Sequence, residues 1–407
     1  MFWVGLVLFA LGIFVSVCLH EAGHMVTAKA FGMKVTQYFA GFGPTVWSFR
    51  RGETEYGLKA VPAGGFVKIV GMTPLEPVAA QDDDRAFWRS PLWQRTVVLS
   101  AGSITHFLLA AIVAWIAAVT TGLPNVHGIE SFSAAKAAPV VSVADCVPAS
   151  ATATTCTTKD SPARVAGLHD GDRILAVGST PVSTYGALVT TLRAVPAGPV
   201  VLHVQRGAEQ VDVPITPQRV TRTLDDGTTG TVSAIGVFLD ASQAPPNLLH
   251  YDAAGAFGGT AVFGREVVSA TFGALKDFPS RVPKLVDAIG GGTRDADTPV
   301  SVLGASRIGG EAVERGLTYI ALTAFVQLNV FIGIFNLFPL LPLDGGHIAV
   351  AWFERVRSAL ARRLGRPDPG RVDYAKLMPL TYAVILLFGV VTLLTLTADI
   401  VNPIRLS

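Results

Sequence analysis

Four stretches of this chain are apolar for long enough to cross a lipid bilayer, which takes about 20 helical residues in succession. The first is uncharged over residues 2–19 and resumes after a polar interruption; the second lies within 96–123, the third between Arg315 and Asp344, and the fourth within 377–401. A secretory signal peptide also opens with an apolar run. Here no basic residue precedes the run and no small-residue cleavage site follows it, so the first stretch reads as a span. The pattern changes between spans. Residues 46–50 and 55–59 alternate about an Arg51-Gly52-Glu53 turn, and 64–70 follow Pro62, which predicts a β hairpin. Its edge either pairs with an extended peptide or is an ordinary hairpin edge.

The chain therefore divides into a first span (1–32), a β region (33–94), a second span (95–123), a soluble domain (124–240), a connector (241–315), a third span (316–343), a basic loop (344–376) and a fourth span (377–401). The predicted fold class is a polytopic α-helical membrane protein with a β element after the first helix and a soluble domain between the second and third. Residues 264–278 of the connector have helical spacing and fit either an interfacial amphipathic helix or a soluble one. Arg355, Arg357, Arg362, Arg363, Arg366, Arg371 and Lys376 crowd the last loop. Short loops rich in such residues stay cytoplasmic. Alternation then puts 33–94 on the same side, with both termini and 124–315 outside.

Composition agrees: 50% of residues are hydrophobic and 15% charged, against roughly a quarter charged in soluble proteins. A net charge of +2 supplies no basic field for nucleic acid. The cysteines form no zinc-binding pair motif. Cys146 and Cys156 either bridge, as an exported compartment permits, or remain thiols.

The polar interruption in the first span is His20-Glu21-Ala22-Gly23-His24. Helix positions four apart share a face, so both imidazoles reach one ion while Glu21 stands beside them as a base. Ionisable groups inside a span are costly and mark function. Catalytic zinc takes three protein ligands and keeps a fourth position open. The missing ligand must lie at the same depth, and the third span runs in the same direction as the first. Its end reads Asn336-Leu-Phe-Pro-Leu-Leu-Pro-Leu-Asp344-Gly345-Gly346-His347. Asp344, the first carboxylate after an uncharged run, is the preferred third ligand, with His347 a rival.

These two motifs, with Gly41-Phe42-Gly43-Pro44, residues 62–68, Ala101-Gly102-Ser103 and the stretch Gly171-Asp172-Arg173-Ile174-Leu175, resemble the site-2 proteases. Within them the resemblance is to the bacterial group typified by the regulator of sigma-E protease. It implies an intramembrane zinc endopeptidase with His20, His24 and Asp344 on Zn2+, Glu21 as general base and Asn336 near the substrate. It also covers one PDZ-like domain on the extracytoplasmic side, where the best-known member has two, and implies a bacterial inner-membrane location with the active site toward the cytoplasm. Implied substrates are single-span membrane proteins such as anti-sigma factors, first cut by another, site-1-type protease. The PDZ-like domain either binds peptide or filters by size. Many relatives carry Gly-Pro and then Asn where this chain has Gly102-Ser103-Ile104-Thr105-His106. Rival readings are clearance of remnant signal peptides by the same chemistry and a membrane-anchored PDZ adaptor without catalysis.

Overall fold

The computed structural model describes residues 1–407 except 74–76, 149–155, 157–159, 224–227, 296 and 406–407. Two compact units result: Met1–Leu123 with His250–Ser407, and Pro124–Leu249.

In the first unit four described helices are long and apolar enough to span a membrane: Phe2–Ala30, Leu92–Thr120, Thr318–Asn336 and Tyr374–Val401. Leucine, valine and alanine make them good helix formers, but small residues decide how closely they pack. A side chain on Gly5 would overlap Gly310 and Val313, and one on Gly333 would overlap Phe107. The second span lays Ala110, Ala114, Ala117 and Ala118 against Phe263 and Val267 of the helix Gly255–Ile289 and against Val326 and Val330 of the third span. A second connector helix, Val302–Glu314, packs on the first span.

The β region is larger than a hairpin. Its strands Val35–Arg51 and Thr54–Ile69 turn at Gly52, and residues 37–40 pair on one side with 65–68 and on the other with 55–58. Residues 55–58 in turn pair with 47–50, so four short strand segments form one curled sheet. Gly41, Gly43 and Gly64 hold the positive φ values that its bends require. Phe42, Val46, Trp47 and Phe49 stand exposed on it.

The basic segment after the third span is mostly helical, Asp344–Arg363, where its charges suggested a loop. Asp344 in the first turn and Arg362 and Arg363 in the last complement the helix dipole. Charge counts locate a side of the membrane; they do not forbid a helix.

The second unit is built on an antiparallel sheet in the order Val237–Leu239, Val140–Val143, Asp172–Val177, Val200–Arg206, Glu209–Ile215. Its core joins Ile174, Leu202 and Val204 to Leu188 and Leu192 of the helix Tyr185–Ala194. Cys146 and Cys156 form a disulfide. Between the helix Tyr185–Ala194 and residues 232–238 lies a cavity of about 250 Å³ lined by Leu188, Leu192, Ile235 and Phe238.

Candidate metal centre and active site

The helix Phe2–Ala30 buries one stripe, Phe9, Ile13, Ser16, His20, His24 and Ala28, and that stripe sets both imidazoles on the inner face of the unit. His20 is 7% and His24 4% exposed. His24 Nδ1 lies 2.7 Å from the Val98 carbonyl. A carbonyl only accepts, so Nδ1 carries the proton and the lone pair of Nε2 is free. A partner of this kind fixes the ring of a metal-binding histidine.

Asp344 arrives from the other end of the chain. After Asn336 the backbone leaves the helix and doubles back, so closely that a Cβ on Gly345 would sit 2.2 Å from the Leu337 carbonyl oxygen and one on Gly346 2.5 Å from the Leu341 nitrogen. The paired glycines of the motif are thus required by the turn. They bring Asp344 Oδ2 to 3.3 Å from Nε2 of both His20 and His24, which are themselves 3.1 Å apart. Tetrahedral zinc with nitrogen and oxygen ligands at about 2.0–2.1 Å separates its ligand atoms by about 3.3–3.4 Å. Asp344 Oδ2 is buried and makes no hydrogen bond among the described residues. A cation satisfies that orphan, and the donor set fits zinc.

The second span closes the site. A side chain on Gly102 would lie 2.4 Å from His20 Cε1 and 2.5 Å from His24 Nε2, and one on Gly23 2.7 Å from the Ala101 carbonyl oxygen. Only glycine leaves the space the imidazoles occupy. Glu21 turns from this stripe toward the sheet, where its carboxylate meets the Val67 backbone amide and its Cγ lies 3.4 Å from where a Gly65 side chain would begin. Tyr38 of the same sheet donates to the Cys18 carbonyl at 2.8 Å.

His347 does not join the cluster. Its Nδ1 lies 3.3 Å from the Tyr374 hydroxyl and its ring stacks on that phenol. Asn336 ends the third span, half-buried, with no side-chain hydrogen bond among the described residues.

Sequence reasoning missed a buried polar cluster beside His20. Asn329 Oδ1 accepts from Ser16 Oγ and lies 2.8 Å from His106 Nδ1; Ser16 Oγ is 3.0 Å from that same nitrogen. The His106 ring centroid is 5.1 Å from that of His20. Asn329 and His106 are each 1% exposed. The one available signal was the serine, histidine and asparagine placed singly in apolar spans, where polar groups are costly.

A hydrophobic helical bundle with a buried two-histidine, one-carboxylate cluster and an adjacent glutamate has the architecture of a membrane-embedded metallopeptidase. The family Peptidase family M50, the site-2 proteases, matches residues 8–366, and the chain belongs to it. The chain is 42% identical to Zinc metalloprotease Rip1 of Mycobacterium bovis and 41% identical to that of Mycolicibacterium smegmatis, each alignment covering 100% of this chain and 99% of the relative. The Mycobacterium tuberculosis protein of that name is likewise 42% identical over the same shares. The protein is a zinc metalloprotease, and four of its described helices are long and apolar enough to cross a membrane.

Proposed function

We propose that this enzyme cuts single-span membrane proteins within the bilayer, near its cytoplasmic face, with His20, His24 and Asp344 holding zinc. The reading is carried by one observation: donors from opposite ends of the chain converge at 3.1–3.3 Å, with the glutamate of the same helix beside them. Zinc held there supplies Lewis acidity to the scissile carbonyl and to the attacking water. Glu21 takes the proton of that water and delivers it to the leaving amine. The neighbouring sheet offers an extended substrate backbone pairing, which a helical substrate meets only after it unwinds. The amide of Asn336, without a side-chain hydrogen bond among the described residues, is suited to hold the backbone thus released.

The bulk of the chain between the second and third spans, a PDZ-like domain on the extracytoplasmic side, acts as the filter that rejects substrates with intact outer domains. The substrates are anti-sigma factors already shortened by a site-1-type protease, in a bacterial inner membrane where the basic segment 344–376 faces the cytoplasm.

The decisive experiment replaces Glu21 with Gln. Because Glu21 serves as base and not ligand, cleavage of a single-span reporter falls by at least about 10²-fold, while zinc content stays near that of the wild type. Loss of zinc would reassign Glu21 as a ligand, and retained cleavage would remove it from the mechanism.

A further inference from the structure

A separate cavity lies beside the helix that begins at Asp344. It has a volume of about 280 Å³ and is walled by Trp88, Arg95, Glu354, Arg355, Arg362 and Arg371, close to the small end of ligand pockets at about 300 Å³. Positions 355 and 362 lie two turns apart and share a helix face, so both guanidinium groups serve one cavity.

The charges are not balanced within it. Glu354 Oε1 accepts from the Val372 amide at 2.8 Å, and Oε2 is 3.5 Å from Arg95. Asp368, also on the rim, accepts from the Ser358 hydroxyl and the Gly370 amide at 2.9 Å each. Both carboxylates are thereby committed. Arg355 and Arg371 form no ion pair with a carboxylate among the described residues, and Arg362 has only a longer-range attraction to Asp368. The Nε of Arg95 is buried and unpaired among those residues.

Trp88 is the floor that organises these groups. The guanidinium carbons of Arg371 and of Arg89 each lie 4.2 Å from its ring centroid, so Arg371 is held in place before any ligand arrives. Basic residues that merely mark the side of a span need no concavity, no stacked guanidinium and no buried donor.

We infer that this pocket binds a phosphate group, as a phospholipid headgroup or as free phosphate. Arginine donors in a fixed fork match phosphate oxygens two at a time. The bound group bridges the helix Asp344–Arg363, the turn that follows it and the start of the second span.

The test uses the full-length protein in detergent and reads tryptophan fluorescence during titration. The probes are inorganic phosphate, short-chain phosphatidylglycerol, and phosphatidylcholine of the same chain length as a zwitterionic control. The inference predicts a saturable change with phosphate, phosphatidylglycerol or both, absent in Trp88→Phe. It predicts a midpoint weakened on the order of tenfold or more in the double variant Arg355→Gln, Arg362→Gln. Those arginines are exposed, and zinc content near wild type verifies that the variant is folded. Saturation with phosphatidylglycerol alone supports the inference with a lipid source, and saturation with inorganic phosphate supports it with a soluble one. No saturable response to either, or an unchanged midpoint in the double variant, overturns it.

Discussion

The two units solve opposite burial problems. In Met1–Leu123 with His250–Ser407, large apolar side chains such as Trp3, Leu8, Leu386 and Leu393 face outward, while Ser16, His20, His24, His106 and Asn329 are inside. In Pro124–Leu249 the order is the usual one: Ile174, Leu188, Leu202 and Val204 are inside. Lipid removes the hydrophobic drive to bury leucine, so small residues and polar contacts set how such helices meet. The difference teaches where chemistry can sit. A unit that need not fill its middle with leucine has room there for a metal cluster and its polar supports.

The sharpest way to break this contrast is to fill that room. Gly102→Ala puts a methyl group within 2.4–2.6 Å of His20 and His24 atoms. Both imidazoles must move, and proteolysis is expected to fall by about 10²-fold or more, with reduced zinc content. Reporter cleavage and metal analysis check this; wild-type values would mean that the helices part easily.

Next in size is the polar cluster. Asn329→Leu removes the acceptor shared by Ser16 and His106 and leaves both buried without it. Zinc affinity should weaken by about 10–100-fold if the cluster holds His20 in place, as competition with a chelator would measure. An unchanged affinity would make the cluster a packing device.

The unit Pro124–Leu249 leaves the metal cluster untouched and gives an effect on its own stability, with a pH signature. Asp172 is buried, which raises its carboxyl pKa, but the Arg206 guanidinium and the His169 amide more than offset this and hold it below the ordinary carboxylate value. A depressed folded pKa contributes stability above the unfolded value of about 3.9 and loses it as pH falls through the folded one. Arg206→Ala should cost on the order of 2–3 kcal/mol at neutral pH and flatten the loss of stability at acid pH. Hydrogen exchange along Asp172–Val177 reads both, and zinc content should not change.

Much of the proposed site was legible because its signals are local. Two histidines four apart declare one helix face, and a carboxylate ending an uncharged run declares a depth. The supports were not legible. Ser16, His106 and Asn329 each sit alone in an apolar helix, and their meaning lies in partners on other helices. The four-segment sheet was hidden for a similar reason, since residues 37–40 pair on both edges and local alternation reports only one neighbour. The helix Asp344–Arg363 was obscured by its own charge.

The central claim is that two segments from opposite ends of the chain share one zinc, and zinc stoichiometry with X-ray absorption spectroscopy of wild type and Asp344→Ala tests it most directly. The account predicts a wild-type shell of two imidazoles and a carboxylate, with sharply lower occupancy and the carboxylate lost in the variant. Full occupancy with an unchanged shell in Asp344→Ala would contradict it.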